Sequence, residues 1–383
     1  MTSLLVELYD RHVLEKNVYQ AYISNSDELL FLSLDKIDDD EKFSLRQFIL
    51  DQVAHVKRVT FRQVSLEQLE AQLDFSLPNY DQVLLDVFGG DSLLAISLYQ
   101  YGLSRNLPIV AMDIENGKQY KWQAGRLLKE DLDIPTLTIQ ELIALRGGKL
   151  LKSKRPIFSQ QQVVAIKKLA KLAIADPSHW YQVTQFFSLA KTNDLHAETE
   201  KTLANNGKSY VYPKTLIPLL QEAGMLQVKL ENKKKVVYTF PNQEAQIFCR
   251  SKGHVLELYL YLLALEFQLF DECMVGGEID WNGIFPEADN VQNEIDVILR
   301  KGRSIVFISC KMTDLAVEAI NELEVYANHF AGETCHKLIV CTGKVNPVYA
   351  NRCQEYGILV IRSDQIPNII PMLAKYTKKQ KSK

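Results

Sequence analysis

The chain has 383 residues, room for two or three domains rather than one. Hydrophobic content of 47% and charged content of 24% describe an ordinary globular protein, and exclude a disordered or collagenous chain. A net charge of -3 gives no global attraction to nucleic acid, so any such binding must come from local basic patches.

The N-terminal stretch MTSLLVELYDRHVLEKN becomes charged too soon for a secretory leader. The most apolar run, VLELYLYLLALEFQLF at 255–270, is interrupted by Glu257 and Glu266 and is too short to span a bilayer. Cys249, Cys273, Cys310, Cys335, Cys341 and Cys353 include no CxxC pair. That pattern predicts a reduced cytoplasmic protein with no disulfide framework, no zinc site and no membrane partner.

Residues 1–150 alternate short apolar segments with helical patterns. LLVELYD (4–10), ELLFLSLD (28–35), KRVTFRQV (57–64), QVLLDVFGG (82–90) and PIVAMDI (108–114) read as strands. EKFSLRQFILDQVAHV and DSLLAISLYQYGLSRN carry helical spacing between them. The expected fold is α/β, with a Rossmann-like parallel sheet in this first part. After the fourth strand come Gly89 and Gly90, then Asp91 and Ser92 opening a helix. Glycines let a backbone approach a ligand, and a helix N-terminus favours phosphate. A glycine turn with Asp91 or Ser92 as N-cap explains the same residues. Asp10 and Asn17 belong to the other strand-to-helix loop, where Asn17 can also serve as a cap. Carboxylates repel a polyanion, so Asp10 and Asp91 suit ribose hydroxyls, base amino groups or backbone better than phosphate.

Residues 151–247 form a middle module. Three short helical patterns lead to Gly224 and then to MLQVKLENKKKVVYTFP, a hairpin whose turn carries Lys233, Lys234 and Lys235. Helices followed by a basic hairpin fit a winged-helix module whose wing meets phosphates. A plain helical linker with a solvated turn fits equally.

Residues 248–383 begin with a long helix (253–271). The strands MVGGEIDWN, NEIDVILR and SIVFISCK follow, then a helix (315–330), a strand (337–342), a helix (346–356), a strand (358–362) and a basic tail expected to be disordered. Folding the second and third strands about 301–304 sets Asp296 opposite Ser309 and Glu294 opposite Lys311. Alternation along each strand then collects these four polar side chains on one face, with Ile295, Val297, Ile308 and Cys310 on the other. Two carboxylates and an ammonium suit metal-dependent phosphodiester cleavage, the carboxylates holding Mg²⁺ and the lysine acting on water or oxyanion. A cross-strand ion pair on a solvated face accounts for the same residues. Glu257, amid apolar neighbours on the preceding helix, is positioned as a further ligand, with Gly253 and His254 close by. Glu318 and Glu322, four apart on a later helix, read as a solvated face.

The wording GHVLE, then NEIDVIL, then FISCK, on an αβββαβ order, resembles the PD-(D/E)xK nuclease superfamily. More specifically, it resembles the type III CRISPR-associated ancillary nucleases that join a CARF sensor domain to a restriction-endonuclease-like core. The resemblance takes in both ends of the chain and is weakest in the middle. It implies a CARF sensor at 1–150 that binds cyclic oligoadenylate, foremost cyclic tetra-adenylate. The sensor contacts would be the loops bearing Asp10, Asn17, Gly89, Gly90, Asp91 and Ser92. It implies a homodimer in a prokaryotic cytoplasm, and DNA or RNA as substrate. Carried over by motif position, Glu257 and Asp296 are ligands of Mg²⁺ or Mn²⁺, the Cys310 carbonyl completes the set, and Lys311 is the motif lysine. The residue two before that lysine is ordinarily acidic and here is Ser309, for which Glu294 is the expected compensation. The alternative is a cyclic-nucleotide-sensing, nucleic-acid-binding regulator with a silent nuclease core.

Overall fold

A computed structural model describes residues 2–114, 116–123, 125–283, 291–332 and 335–379. The chain divides into two compact units. One is Met1–Leu151 with Ile279–Asn293 and Tyr326–Cys335; the other is Lys152–Glu278, Glu294–Val325 and His336–Lys383.

In the first unit, β1 (Ser3–Leu8), β2 (Glu28–Ser33), β3 (Arg58–Gln63), β4 (Gln82–Asp86) and β5 (Ile109–Asp113) pair in parallel. The helices between them are α1 (Lys16–Ile23), α2 (Asp39–Gln52), α3 (Leu69–Ser76) and α4 (Ser92–Ser104). Strands buried on both faces need unbroken apolar runs, and VLLD of β4 and LLVEL of β1 supply them. The sheet continues antiparallel through β6 (Lys118–Gln123) and β7 (Arg126–Asp131), a hairpin the sequence reading did not anticipate. Strand order is β3-β2-β1-β4-β5-β6-β7. The chain moves outward from β1 through β2 to β3, then returns to β4 on the other side of β1. The switch point therefore lies between β1 and β4, where open α/β sheets of this Rossmann-like kind bind ligands at the strand carboxyl ends.

The loops at that point fit each other tightly. Gly90 has φ of 61°, and a Cβ there would sit 2.8 Å from Leu8 Cβ and 3.0 Å from the Tyr9 carbonyl oxygen. Both the left-handed backbone and the close approach demand glycine. Gly90→Ala is expected to cost at least ~2 kcal/mol, read as a lower urea midpoint at unchanged slope.

After α5 (Ile139–Leu145), β8 (Lys149–Lys154) leads into the second unit. There α6 (Gln160–Ala175), α7 (Pro177–Leu189), α8 (Ile217–Glu222) and α9 (Gln243–Arg250) carry the expected helical patterns. The expected hairpin is β13 (Gln227–Glu231) with β14 (Lys235–Thr239), so Lys235 opens a strand rather than lying in the turn. Four further short strands had no sequence signal: β9 (Thr192–Asn193), β10 (His196–Glu200), β11 (Thr202–Asn205) and β12 (Lys208–Val211). One apolar core runs from Ala165 and Trp180 of the middle segment through α10 (His254–Phe267) to Leu373.

The remaining strands are β15 (Glu272–Asp280), β16 (Gln292–Lys301), β17 (Ser304–Lys311), β18 (Cys335–Cys341) and β19 (Ile358–Arg362), with helices α11 (Val317–Phe330), α12 (Pro347–Glu355) and α13 (Ile369–Lys379). They form a sheet of order β19-β18-β17-β16-β15-β8. β8 is the unexpected member. Helix α10 stops at Phe267, where Gln268 adopts φ of 48°, rather than running to 271. Part of the supposedly disordered tail belongs to α13, and 380–383 lie outside the described residues. All six cysteines are free and buried. Among the described residues, no helix is long and apolar enough to cross a membrane.

Candidate active site

The β16–β17 hairpin has the register expected from its turn, from Val297 opposite Ile308 to Lys301 opposite Ser304. Its apolar face enters the core through Ile295, Val297, Ile308 and Cys310. The other face presents Asp296, Ser309 and Lys311, each half-buried. Asp296 Oδ2 accepts a hydrogen bond of 2.6 Å from the Cys310 N–H, which locks the carboxylate across the hairpin.

Glu257 arrives from the first turn of α10. Its Oε2 lies 2.8 Å from His254 Nδ1, three residues earlier on the same helix face. His254 is only 5% exposed, so the imidazole acts as a fixed support for the carboxylate. Oε1 faces the opposite way. A Cβ on Gly253 would lie 3.2 Å from Glu257 Oε1 and 3.9 Å from the Cys310 carbonyl oxygen. The absence of that Cβ keeps open the space between these two oxygens.

The electrostatics are those of anions held together. Burial, then the negative charge of Glu257, push the Asp296 pKa up to about 6; the Cys310 N–H and the Lys311 ammonium oppose the rise. Glu294 is shifted upward as well, by loss of solvation and again by Glu257, although much of its surface is open. Glu294 Oε1 and the Lys154 ammonium both border Gly276, whose absent Cβ would come within 2.9 Å of the carboxylate. Lys154 also pairs with Glu244 at 3.1 Å. Sequence reasoning missed Lys154, because only the β8 strand addition brings it here. The His254–Glu257 spacing was readable.

Among the described residues no group of three or more His, Cys, Asp or Glu side chains is arranged to hold a metal ion. The donors that do converge are two carboxylates and one main-chain carbonyl. That set fits Mg²⁺ or Mn²⁺, which are held by one or two carboxylates with waters and substrate phosphate completing the shell. A cation would also relieve the mutual repulsion that raises the Asp296 pKa. Glu318 and Glu322 are exposed on α11.

In the first unit the loop residues have internal work. The Asp10 N–H donates to Asn17 Oδ1 at 2.9 Å, and Asn17 Nδ2 returns a 2.9 Å bond to the Asp10 carbonyl. Asp10 Oδ1 accepts from the N–H groups of His12 and Val13, and Oδ2 meets Lys16 Nζ at 3.2 Å and the Gly90 N–H at 3.4 Å. Burial opposes its charge, yet the Val13 N–H and the Lys16 ammonium prevail and hold its pKa below the usual carboxylate value. Asn17 is 1% exposed. Asp91 caps α4, accepting from the N–H groups of Leu93 and Leu94. These three side chains therefore shape the loops. The surface they build is formed by Gly89, Gly90, Ser92 and Lys16, whose ammonium stands 5.1 Å over the Phe88 ring.

No family model and no curated protein matches the chain. Solved structures do. Protein VC1899 from Vibrio cholerae superposes with a TM-score of 0.71 at 15% identity, covering 98% of each chain. Can2 from Sulfobacillus thermosulfidooxidans, solved in complex with cyclic tetra-adenylate, gives a TM-score of 0.67 at 19% identity, over 98% of this chain and 99% of its own. The chain shares their fold from end to end. The Rossmann-like CARF fold implied by the sequence resemblance is the fold of its first unit.

Proposed function

We propose that the chain is a cyclic-oligoadenylate-activated, metal-dependent nuclease of type III CRISPR defence. The observation that carries the reading is the gap left by Gly253 between Glu257 Oε1 and the Cys310 carbonyl, with Asp296 locked to the Cys310 N–H and within electrostatic reach of both Glu257 and Lys311. When bound, Mg²⁺ or Mn²⁺ supplies an acidified water and neutralises charge on the scissile phosphate. Asp296, fixed by the Cys310 N–H, and Glu257, fixed by His254, orient that charge. Lys311 positions the attacking water or stabilises the developing oxyanion. Ser309 offers a hydroxyl from the same strand face. Glu294, which borders Gly276 together with the Lys154 ammonium, is the carboxylate that compensates for Ser309 in this reading. DNA or RNA strands are the substrates.

Cyclic tetra-adenylate is the activator in this reading, supported by the end-to-end likeness to a protein solved with that ring. It sits at the switch point on the loops after β1 and β4, with Lys16 and the main-chain N–H groups near Gly89 and Gly90 facing phosphate. A ring with two-fold symmetry asks for a two-fold dimer. The exposed apolar stripe of α4 supplies a surface for it: Leu93, Ile96 and Leu103 are 60%, 55% and 51% exposed. Ligand preference of about 1.4 kcal/mol for the closed dimer suffices for a tenfold gain in activity.

Ser309 favours one rival, a silent nuclease core in a nucleic-acid-binding regulator. Single-stranded RNA, single-stranded DNA and supercoiled plasmid incubated with Mn²⁺ or Mg²⁺, with and without the ring, separate the two. Cleavage is expected only with both ring and metal, and is expected to vanish in Lys311→Ala. Ring binding without cleavage in any metal would move the assignment to the regulator.

A further inference from the structure

A second polar groove lies in the same compact unit as the carboxylate cluster. It encloses about 410 Å³ and is lined by Ser178, Tyr181 and Gln182 of α7, Lys208 and Ser209 of β12, and Lys252. No carboxylate lines it. Neither Lys208 nor Lys252 has an acidic partner among the described residues; the Lys252 ammonium rests 5.2 Å over the Tyr181 ring instead. On the wing of β13 and β14, Lys235 is neutralised by Glu198 at 3.0 Å and nearby Lys201 by Glu231, while Lys233 and Lys234 lie in a convex, exposed turn rather than a groove. In a chain of net charge -3, two lysines that share one hydroxyl-lined concavity with no carboxylate make a local basic patch.

The groove is also tied to the active site. Lys252 precedes Gly253 directly, and its carbonyl accepts a 3.2 Å hydrogen bond from Trp180 Nε1 of α7. Trp180 is 2% exposed, so the link is rigid. Lys252 thus joins the groove, through Gly253, to the helix turn that carries Glu257. We propose that this groove holds the phosphodiester backbone of single-stranded nucleic acid flanking the bond to be cut. Lys208 and Lys252 meet the phosphates, Ser178, Ser209 and Gln182 donate to their oxygens, and the Tyr181 ring offers a base a stacking face once Lys252 turns to phosphate. A concavity of this size suits a flexible single strand better than the convex surface of a duplex.

The proposal rests on the nuclease reading for its orientation toward a scissile bond, but its test does not need catalysis. Binding of a short labelled single strand to the full chain, with EDTA present and with or without cyclic tetra-adenylate, is followed by anisotropy over a salt series. Each phosphate contact on a single strand contributes about 0.7 to the slope of log affinity against log salt, so Lys208→Ala with Lys252→Ala is expected to lower it by about 1.4. Lys208→Arg with Lys252→Arg is expected to keep the slope, and circular dichroism of the alanine pair checks folding. An unchanged slope in the alanine pair overturns the groove, as does a slope that falls only when Lys233, Lys234 and Lys235 are replaced. Cleavage by wild-type protein alongside an unchanged slope sinks the groove and leaves the nuclease reading. Lysine-dependent binding with no cleavage under any ring or metal does the reverse.

Discussion

Asp296→Asn is expected to abolish ring-activated cleavage, by about 10³-fold or more, while making the protein more stable at pH 8. The two effects have one cause. Asparagine keeps an oxygen to accept the Cys310 N–H, so the hairpin lock survives. It removes the anion that binds metal, and a 10³-fold loss is ~4 kcal/mol of barrier. The same anion is costly to the apo fold, because its pKa is raised from 3.8 to about 6 by burial and by Glu257. A carboxylic acid with a raised folded pKa contributes stability below its unfolded pKa and loses it as pH climbs through the folded value. Wild type is therefore penalised at pH 8 and not at pH 4. At ~1.4 kcal/mol per pH unit the penalty is bounded at roughly 3 kcal/mol. Thermal melts in chelator should show the variant above wild type at pH 8, with the gap closing toward pH 4. A lower midpoint at pH 8 would mean that the Asp296 charge stabilises the fold, through the Lys311 ammonium and the Cys310 N–H, more than burial and Glu257 oppose it. Activity assays alone cannot separate these outcomes, since the variant is expected to be inactive in either case. The sign of the stability change does.

The hairpin was legible because its information is local. A Gly-containing turn fixes the register, and period-two alternation then assigns every side chain to a face. The observed pairing from Val297–Ile308 to Lys301–Ser304 follows from that alone. Glu257 stands out in the sequence as a carboxylate set among Val255, Leu256, Leu258 and Leu260 early in an apolar helix. What escaped depends on distant pairing. β8 reads as a linker until it pairs at the edge of a sheet whose other strands begin over a hundred residues later, and Lys154 then finds Glu294. Strands β9 to β12 are two to five residues long and polar, so no apolar period announces them. For Asp10 the sequence leaves ribose, base and backbone contacts open; its Gly90 partner lies eighty residues away, and only the fold shows the carboxylate bracing one loop against the other.

The seven-stranded sheet of the first unit carries a second buried acid pair, and Asp86→Asn is expected to stabilise that unit at pH 8. Glu7 on β1 and Asp86 at the end of β4 lie on neighbouring strands at the switch point, 2% and 1% exposed. Burial pushes the Asp86 pKa up to about 8. Burial and the charge of Asp86 together drive Glu7 well above the carboxylate range. Glu7 Oε1 has no hydrogen-bond partner in the described structure. Near neutral pH the pair therefore holds protons that the unfolded chain would have released. Linkage then makes the unit progressively less stable from about pH 4 to pH 8. Asparagine at 86 keeps an acceptor for the Phe88 N–H, which lies 3.0 Å from Asp86 Oδ1, and removes one ionisation. A gain of ~2 kcal/mol at pH 8 corresponds to about 4–8 °C in thermal midpoint for a domain of this size, with little change at pH 4. A midpoint that stays level or falls at pH 8 would show that the pair ionises at little cost. The expected gain would have a functional meaning, because the penalty falls directly beneath the loops assigned to the ring. A ligand that binds only the folded unit adds stability as RT ln(1 + [L]/Kd), so occupancy can offset what the acid pair removes. The pH dependence of the midpoint should then persist, shifted upward as a whole, when cyclic tetra-adenylate is added to wild type.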